Sequence, residues 1–223
     1  MQLVAHRGFD KQYSANTVAA VERAIQNADM VELDIRRCAS GELVVAHNAL
    51  VDIDIDGIDR VDELTATELA ALDAHDGEGV QTLNTVLDMV PAEVGVNLEL
   101  KNPKITEQAL TVAESVPNEV IISSFDPDAL DGVHPEENTN VELAYVLGAT
   151  PDDDLAVAMD LDCAFVHPNA WLCLLTGVVA RAHDAGLAVN AWTVDSRPGA
   201  WALSRRGVDG LIASSPHVVD WVN

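Results

Sequence analysis

The stretch QLVAHRGFDKQYSANTVAAVERAIQNADMVELDI, residues 2–35, contains two short apolar runs separated by one amphipathic segment. The runs at 2–6 and 30–35 have the composition and length of buried strands. Between them, apolar residues recur at three- and four-residue spacing within 16–28, which is the period of a helix that packs on one face. The stretch therefore predicts a strand–helix–strand unit, the building block of a parallel sheet.

The same alternation of strand-like and helix-like segments continues along the chain. Six further apolar runs predict strands, and they lie at 95–101, 119–124, 142–147, 163–167, 187–192 and 208–212. Eight strands, most of them followed by a helical segment, predict an α/β fold, a single (β/α)8 TIM barrel that spans residues 1–223. A doubly wound sheet stays open as the alternative.

One additional run, ELVVAH, ends at His47 and follows the second strand too closely for a crossover helix, because a parallel connection needs about a dozen residues. A hairpin that turns at Ser40 and Gly41 fits this spacing. With a two-residue turn there, Asp34 faces His47 across the ladder, which brings His47 to the mouth of the barrel. The segment at about 49–93 is then a small insertion with a connecting helix after the second barrel strand.

Acidic residues outnumber basic ones by 37 to 12, which gives a formal net charge of −25. Nucleic acids and anionic membranes bind cationic surfaces, so this balance argues against both as stable partners. Charge repulsion opposes a compact state in dilute buffer, but in molar salt the Debye length falls to about 3 Å and the repulsion is screened. With no signal peptide or membrane span in the pattern, we expect a cytoplasmic protein of a high-salt cell interior. The oligomeric state is not readable.

Several other conspicuous residues fit structural roles. The chain has three cysteines without a CxxC pair, which we expect to be buried: Cys38, Cys163 and Cys173. Five histidines fit no metal spacing, and we expect them at the surface or at helix caps: His75, His134, His167, His183 and His217. Of these, His167 ends a strand and could reach a substrate. Three tryptophans are expected to pack helices onto the barrel: Trp171, Trp201 and Trp221.

Charged and aromatic side chains lie where the predicted strands end, and in TIM barrels the active site is at these C-terminal strand ends. Residues two apart on a strand point to the same face. Glu32 and Asp34 therefore share one face at the end of the second barrel strand, and Glu99 and Lys101 share one face at the end of the third. The residues at strand ends are His6, Arg7, Glu32, Asp34, His47, Glu99, Lys101 and Trp192.

The residue types at these strand ends are those of a metal-dependent phosphate chemistry. Three converging carboxylates repel one another unless a cation holds them, and hard oxygen ligands suit Mg²⁺ or Ca²⁺. Arg7 and Lys101 can bind a phosphate oxyanion, and His6 and His47 can supply a base and an acid near neutral pH. Each pair alone is commonly an ordinary ion pair, but their joint presence at successive strand ends indicates cleavage of a phosphoester.

Motifs around these residues extend the pattern over nearly the whole chain. They are AHRG at 5–8, NT at 16–17, VELDI at 31–35, SGELVVAH at 40–47, NLELK at 97–101, SSFDP at 123–127, GLAVNAWTVD at 186–195 and GVDGLIASSP at 207–216. Together they resemble the HRG…ENT, ExD, DGxxVVxHD, IEIK and later motifs of the glycerophosphodiester phosphodiesterases. These enzymes are TIM barrels of the phospholipase-C-like phosphodiesterase superfamily.

The resemblance implies metal-dependent hydrolysis of small-molecule glycerophosphodiesters to glycerol phosphate and an alcohol, as part of lipid and glycerol metabolism. It implies one divalent metal, Mg²⁺ or Ca²⁺, with Mn²⁺ as a further option. The implied site residues are Glu32, Asp34 and Glu99 for the metal, His6 and His47 as the general acid/base pair, Arg7, Lys101 and Asn16 for phosphate and substrate, and Trp192 and Phe125 for the glycerol or headgroup pocket. The attacking oxygen, the alcohol that leaves and the stereochemistry of the glycerol phosphate stay open.

Three positions depart from the family's pattern. Ala15 stands where a Glu usually precedes Asn16, Asn48 stands where an Asp usually follows His47, and 213–216 reads ASSP in place of TDxP. The first two changes remove negative charge near the site. Two alternatives to hydrolysis are therefore kept, lyase-type cleavage with a cyclic phosphate product and a catalytically weakened binding barrel.

Overall fold

The structure is a computed structural model, and the residues it describes are 1–53, 57–74, 77–131, 133 and 140–220. The strands are β1 (Gln2–Ala5), β2 (Met30–Arg37), β3 (Leu43–Val45), β4 (Leu50–Ile53), β5 (Gly57–Arg60), β6 (Gly95–Leu100), β7 (Val120–Ser124), β8 (Val141–Val146), β9 (Phe165–His167), β10 (Ala188–Val194) and β11 (Gly210–Ala213). The helices are α1 (Val18–Ala24), α2 (Ala66–Ala70), α3 (Leu83–Leu87), α4 (Thr106–Ser115), α5 (Pro151–Asp160), α6 (Ala170–Leu175), α7 (Val178–Asp184) and α8 (Arg197–Arg206).

Eight parallel strands form a closed barrel in the order β1, β2, β6, β7, β8, β9, β10, β11 and back to β1. Each of the eight predicted barrel runs overlaps one of these strands, so the TIM barrel prediction is confirmed. Because successive strand residues alternate between faces, one set of apolar side chains packs against the helices and another lies inside the barrel. The inner set is Val4, Met30, Ile121, Ala144 and Ile212, with Phe165 and Trp192 packed against it.

The added hairpin strand is present, but the predicted register is wrong. The strand β3 pairs antiparallel with the C-terminal end of β2, with Ile35 opposite Val45. The N–H of Ala46 donates to the carbonyl of Asp34 at 2.9 Å, so Asp34 faces Ala46 and not His47.

The turn between these strands explains the different register. Cys38 N–H donates to the Glu42 carbonyl at 3.0 Å, which leaves a loop of residues 39–41, one residue longer than predicted. Gly41 has φ +99°, a conformation that side chains rarely adopt and that a three-residue hairpin loop uses at its last position.

The segment between β3 and β6 forms a small layer beside the hairpin. It contains the antiparallel pair β4–β5 and the short helices α2 and α3. Its apolar side chains pack with those of the hairpin into a separate cluster, which consists of Cys38, Val44, Ala46, Val51, Val61, Leu69, Ala74 and Val80. The chain just before His47 is therefore anchored in a core of its own.

The three cysteines are buried and free, as expected. The expectation for Trp171 and Trp201 is wrong, because their side chains are 68% and 56% exposed. Trp171 is two residues from Cys173, the buried residue of α6, and two residues are about 200° of helical rotation. His75, His134 and Trp221 lie outside the described residues. None of the described helices is both long enough and apolar enough to cross a bilayer.

Gly8 is required by close packing at the start of the site. It has φ +78°, and a Cβ there would lie 2.7 Å from the Cβ of Ala20 on α1. We expect Gly8→Ala to lower the free energy of unfolding by about 2–4 kcal/mol, since overlap adds to backbone strain. Urea unfolding in molar KCl measures this loss.

Gly186→Ala is the matched control for Gly8→Ala. Gly186 has φ +82°, and a Cβ there would meet nothing within 4 Å. Only backbone strain should remain, at about 1 kcal/mol. Equal losses in the two variants would contradict the close approach of Gly8 to Ala20.

Candidate active site

A tight left-handed turn follows β1 and places the first two site residues. Residues His6–Gly8 form a 3₁₀ turn in which Arg7 has φ +52°, and Phe9 follows at φ +69°. The carbonyl of Arg7 accepts a hydrogen bond from the N–H of Asn16 at 3.0 Å, which closes the loop before α1. Two non-glycine residues at positive φ this close together, on either side of Gly8, are unusual, and such strained conformations cluster at functional sites.

Three carboxylates converge inside the barrel, as the sequence predicts. Glu32 and Asp34 extend from β2, and Glu99 of the neighbouring strand β6 pairs in register with Asp34. One oxygen of each carboxylate lies within 4.8 Å of the others, and Glu32 and Asp34 are fully buried. Like charges this close in a buried place need positive charge nearby.

Asp34 obtains that positive charge from the protein. Its carboxylate lies 3.0 Å from Arg7 Nε and 2.9 Å from Lys101 Nζ, and it accepts a hydrogen bond from Asn16 Nδ2 at 2.9 Å. Burial opposes the ionisation of Asp34, but the charges of Lys101 and Arg7 outweigh it and lower its pKa. Lys101 also contacts Glu99, and although burial opposes its charge, these two carboxylates raise the pKa of Lys101.

Glu32 is in the opposite situation. Its Oε2 accepts the backbone N–H of Arg7 at 2.8 Å, while its buried Oε1 has no hydrogen-bond partner in the described part of the chain. Burial, and then the charges of Asp34 and Glu99, raise the pKa of Glu32 well above its ordinary value. A divalent cation among three carboxylates would remove this penalty, so the donor set fits a metal with oxygen ligands.

The two candidate catalytic histidines have different partners. His6 Nδ1 lies 3.0 Å from Oδ2 of Asp10, and Ser214 is a further neighbour that lowers the pKa of Asp10. Burial works against the charge of Asp10, but His6 outweighs it and the pKa of Asp10 is lowered. His47 Nδ1 instead lies 2.8 Å from the amide oxygen of Asn48.

His47 reaches the site despite the mistaken register. Arg36 Nε donates to the carbonyl of His47 at 2.9 Å and holds the chain after β3 in place. A cavity of about 180 Å³ is lined by His47 together with Arg7 and Asn16, the two residues of this wall that contact Asp34. Its wall also includes Ala15 and Asn48, two of the three places where the chain departs from the family pattern.

The aromatic pair lies next to the cations. The rings of Phe125 and Trp192 meet edge to face with centroids 5.4 Å apart, and Lys101 Nζ is 6.0 Å from the Phe125 centroid. Trp192 Nε1 donates to the carbonyl of His167 at 2.8 Å. Phe125 is 46% exposed, so the pair forms an open wall.

The prediction that His167 lies at the surface or caps a helix is wrong. Its ring is buried inside the barrel, where Nε2 lies 3.4 Å from the amide nitrogen of Asn190. Burial lowers the pKa of His167 to about 3, so the ring is neutral at working pH. His167 thereby holds Trp192 through its backbone and contributes a neutral side chain to the barrel interior.

Comparison with known proteins agrees with the fold. The profile of the glycerophosphoryl diester phosphodiesterase family matches residues 6–218. The chain belongs to this family. The match begins at His6 and includes every predicted site residue.

Relatives of known name and structure cover the same length. A glycerophosphodiester phosphodiesterase of Caldanaerobacter subterraneus subsp. tengcongensis is 30% identical, over 97% of this chain and 95% of the relative. The crystal structure of a glycerophosphodiester phosphodiesterase from Thermotoga maritima has a TM-score of 0.85 at 25% identity, with 100% of this chain and 98% of that chain covered. An Oleispira antarctica phosphodiesterase, solved in complex with the product sn-glycerol-3-phosphate, has a TM-score of 0.85 at 25% identity, with 99% and 97% covered.

Sequence reasoning missed two residues of the site, Asp10 and Ser214. Asp10 is four residues from His6, but only the left-handed turn at Arg7 and Phe9 brings the two together. The four-residue spacing alone could have drawn attention to Asp10. Ser214 follows β11, next to β1 in the barrel, and only the closure of the barrel reveals this neighbour.

The different environments of the two β2 carboxylates predict opposite effects of neutralising them. Because the pKa of Glu32 is raised, its ionised form costs stability above that pKa, and the cost is absent below the ordinary value of 4.5. We therefore expect Glu32→Gln to stabilise the metal-free protein at pH 7 and to leave its stability unchanged at about pH 4. Urea unfolding in molar KCl with a chelator measures both.

Asp34→Asn is the matched comparison. The pKa of Asp34 is lowered below the ordinary value of 3.8, so ionised Asp34 stabilises the fold at higher pH. This contribution is lost only as the pH falls through that lowered pKa, and Asp34→Asn should destabilise the protein at pH 7. If both substitutions destabilise equally, the asymmetry between Glu32 and Asp34 is refuted.

Proposed function

We propose that this protein is a metal-dependent phosphodiesterase that hydrolyses glycerophosphodiesters to glycerol phosphate and an alcohol. The observation that carries the proposal is the convergence of three carboxylates with Arg7 and Lys101 at one end of the barrel. Family membership supports the substrate class, as does the product bound in the Oleispira antarctica relative.

Glu32, Asp34 and Glu99 would hold one divalent metal, and we propose Mg²⁺ or Ca²⁺, with Mn²⁺ as a further option. A metal bound there supplies Lewis-acid polarisation of a phosphoryl oxygen. The unpartnered Oε1 of Glu32 supports this assignment, because a buried carboxylate oxygen without a donor is costly unless a cation approaches it.

Arg7 and Lys101 would bind the phosphate. Both cations lie against Asp34, and Lys101 also contacts Glu99. The planar guanidinium and the ammonium can each donate to phosphate oxygens while remaining next to these carboxylates. Asn16, which is fixed on Asp34, would orient the loop that carries Arg7, and Phe125 with Trp192 would form the wall for the glycerol or the headgroup.

His6 and His47 would transfer the protons. One of them accepts the proton of the oxygen that attacks phosphorus, and the other donates a proton to the leaving alkoxide. Their unequal partners, a carboxylate for His6 and a neutral amide for His47, support a division of roles. The Asp10 carboxylate lies against Nδ1 of His6 and the Asn48 amide oxygen against Nδ1 of His47, so each ring is oriented by a different kind of group.

The high acidic charge leads us to propose further that the protein works in concentrated salt. With a net charge of −25, repulsion within the molecule is screened only at high ionic strength. A cytoplasmic location stays a prediction. Assays are therefore designed in molar KCl.

The central test is release of glycerol phosphate from glycerophosphodiesters in molar KCl. We expect activity with Mg²⁺, Ca²⁺ or Mn²⁺ and none with a chelator. His6→Ala and His47→Ala should each lower kcat by about 10²–10⁴-fold, the usual contribution of a general acid or base. His183→Ala is the control, because His183 is half exposed and pairs with Asp209, which precedes β11 at the N-terminal end of the barrel strands, opposite the proposed site.

The products decide between the remaining mechanisms. ³¹P NMR distinguishes glycerol phosphate formed directly from a cyclic phosphate that accumulates, which is the outcome for a lyase. Absence of release with every metal and several headgroups, from protein shown to be folded in that salt, would contradict the proposed hydrolysis and leave the binding barrel.

A further inference from the structure

Asn97 is buried inside the barrel without a visible partner. It lies in the middle of β6, is 2% exposed, and neither its amide nitrogen nor its amide oxygen has a hydrogen-bond partner among the described residues. An unpaired buried amide lowers stability, since the group gives up water without replacing it. A residue with this cost needs a role that the metal-free fold does not satisfy.

The register places Asn97 directly beside Glu32. Asn97 and Glu32 are paired on neighbouring parallel strands, and Asn97 is two residues before Glu99. Strand alternation then points Asn97 into the barrel on the same face as both carboxylates. Glu32 Oε1 is itself buried and unpartnered, so an unused donor and an unused acceptor are neighbours.

Ser123 repeats the arrangement one strand further on. It is paired in register with Glu99, it is 0% exposed, and its hydroxyl has no partner in the described part of the chain. Apolar side chains pack elsewhere inside the barrel, among them Met30 and Ile121, which is paired in register with Asn97. Asn97 and Ser123 are thus buried polar groups on β6 and β7 that lie next to the carboxylates.

We propose that Asn97 and Ser123 are positioning residues for the acidic triad. In the metal-bound protein the Asn97 amide would donate to Glu32 and the Ser123 hydroxyl to Glu99, which would turn the remaining carboxylate oxygens toward the cation. Donors behind a ligating carboxylate fix its orientation and strengthen metal binding. This inference rests on the proposed function, because it assumes that Glu32 and Glu99 bind the metal.

The test compares stability and metal affinity in Asn97→Leu, a substitution of similar size without polar atoms. Because an unpaired amide is removed, the metal-free protein should unfold at the same temperature as the wild type or higher. Its affinity for Mg²⁺, measured by calorimetry in molar KCl, should fall by about 10-fold. Activity on a glycerophosphodiester should recover at saturating Mg²⁺ with KM for the substrate unchanged.

Asn118→Leu is the matched control. Asn118 is also 2% exposed, but its amide donates to the carbonyls of Pro91 and Val94 at 2.8 and 2.9 Å. Its replacement should lower the unfolding temperature and leave the affinity for Mg²⁺ unchanged. The two asparagines therefore separate a structural role from a positioning role by effects on different measurements.

Two milder variants keep the inference testable if Asn97→Leu does not fold. Asn97→Ser keeps one donor, and its affinity for Mg²⁺ should lie between those of the wild type and a variant without a donor. Ser123→Ala removes only a hydroxyl and should weaken Mg²⁺ binding while the fold is kept. Wild-type affinity in both variants would overturn the proposal.

The outcomes also separate this inference from the proposed function. If the wild type binds no Mg²⁺, Ca²⁺ or Mn²⁺, the proposed metal site is contradicted and this inference with it. If the wild type binds a metal and Asn97→Leu binds it equally well, only the positioning role is overturned. Calorimetry measures this binding without substrate, so the result does not depend on catalysis.

Discussion

The buried carboxylate of Asp34 is the interaction on which the site depends. It is contacted by Arg7 from the turn after β1, by Asn16 from the start of the α1 region and by Lys101 from the end of β6. Three separate segments are therefore fixed by one charge on β2. Because the charge is buried, removal of either cation would leave the negative charge of Asp34 partly uncompensated where water does not reach it. The three segments are therefore held in a single arrangement.

Glu32 lies on the same strand but accepts a hydrogen bond from only one backbone N–H, so its buried charge is poorly compensated. The two cations, Arg7 and Lys101, do not neutralise all three carboxylates. Burial, together with the charges of Asp34 and Glu99, therefore raises the pKa of Glu32. A site optimised for the stability of the metal-free fold would have a neutral residue at this position. This local conflict supports the proposal that Glu32 binds a metal, since proteins keep such costs mainly where chemistry needs them.

The sequence allowed the barrel and most of the site to be predicted, because both follow from short-range rules. Strand alternation sets which of Glu32, Asp34 and Glu99 face inward, and strand ends set where they meet. Two of the failed predictions depended on a single residue or on distant neighbours. One extra residue in the loop before Glu42 changed the hairpin register, and the place of His167 inside the barrel follows only from closure of the sheet.

Ala15 and Asn48 are neutral at positions where the family pattern has a Glu and an Asp, and their effect depends on the charges around them. Both positions line the cavity that Arg7 and His47 share, so this wall of the site carries no carboxylate among the described residues. The chain as a whole has a net charge of −25, whereas this wall carries no negative side chain among the described residues. It lies next to Arg7, which is proposed to bind the anionic phosphodiester. Carboxylates here would repel that anion at short range, where even concentrated salt screens poorly. The neutral residues therefore reduce repulsion at the position proposed for the substrate, while the three carboxylates of the proposed metal site are all present.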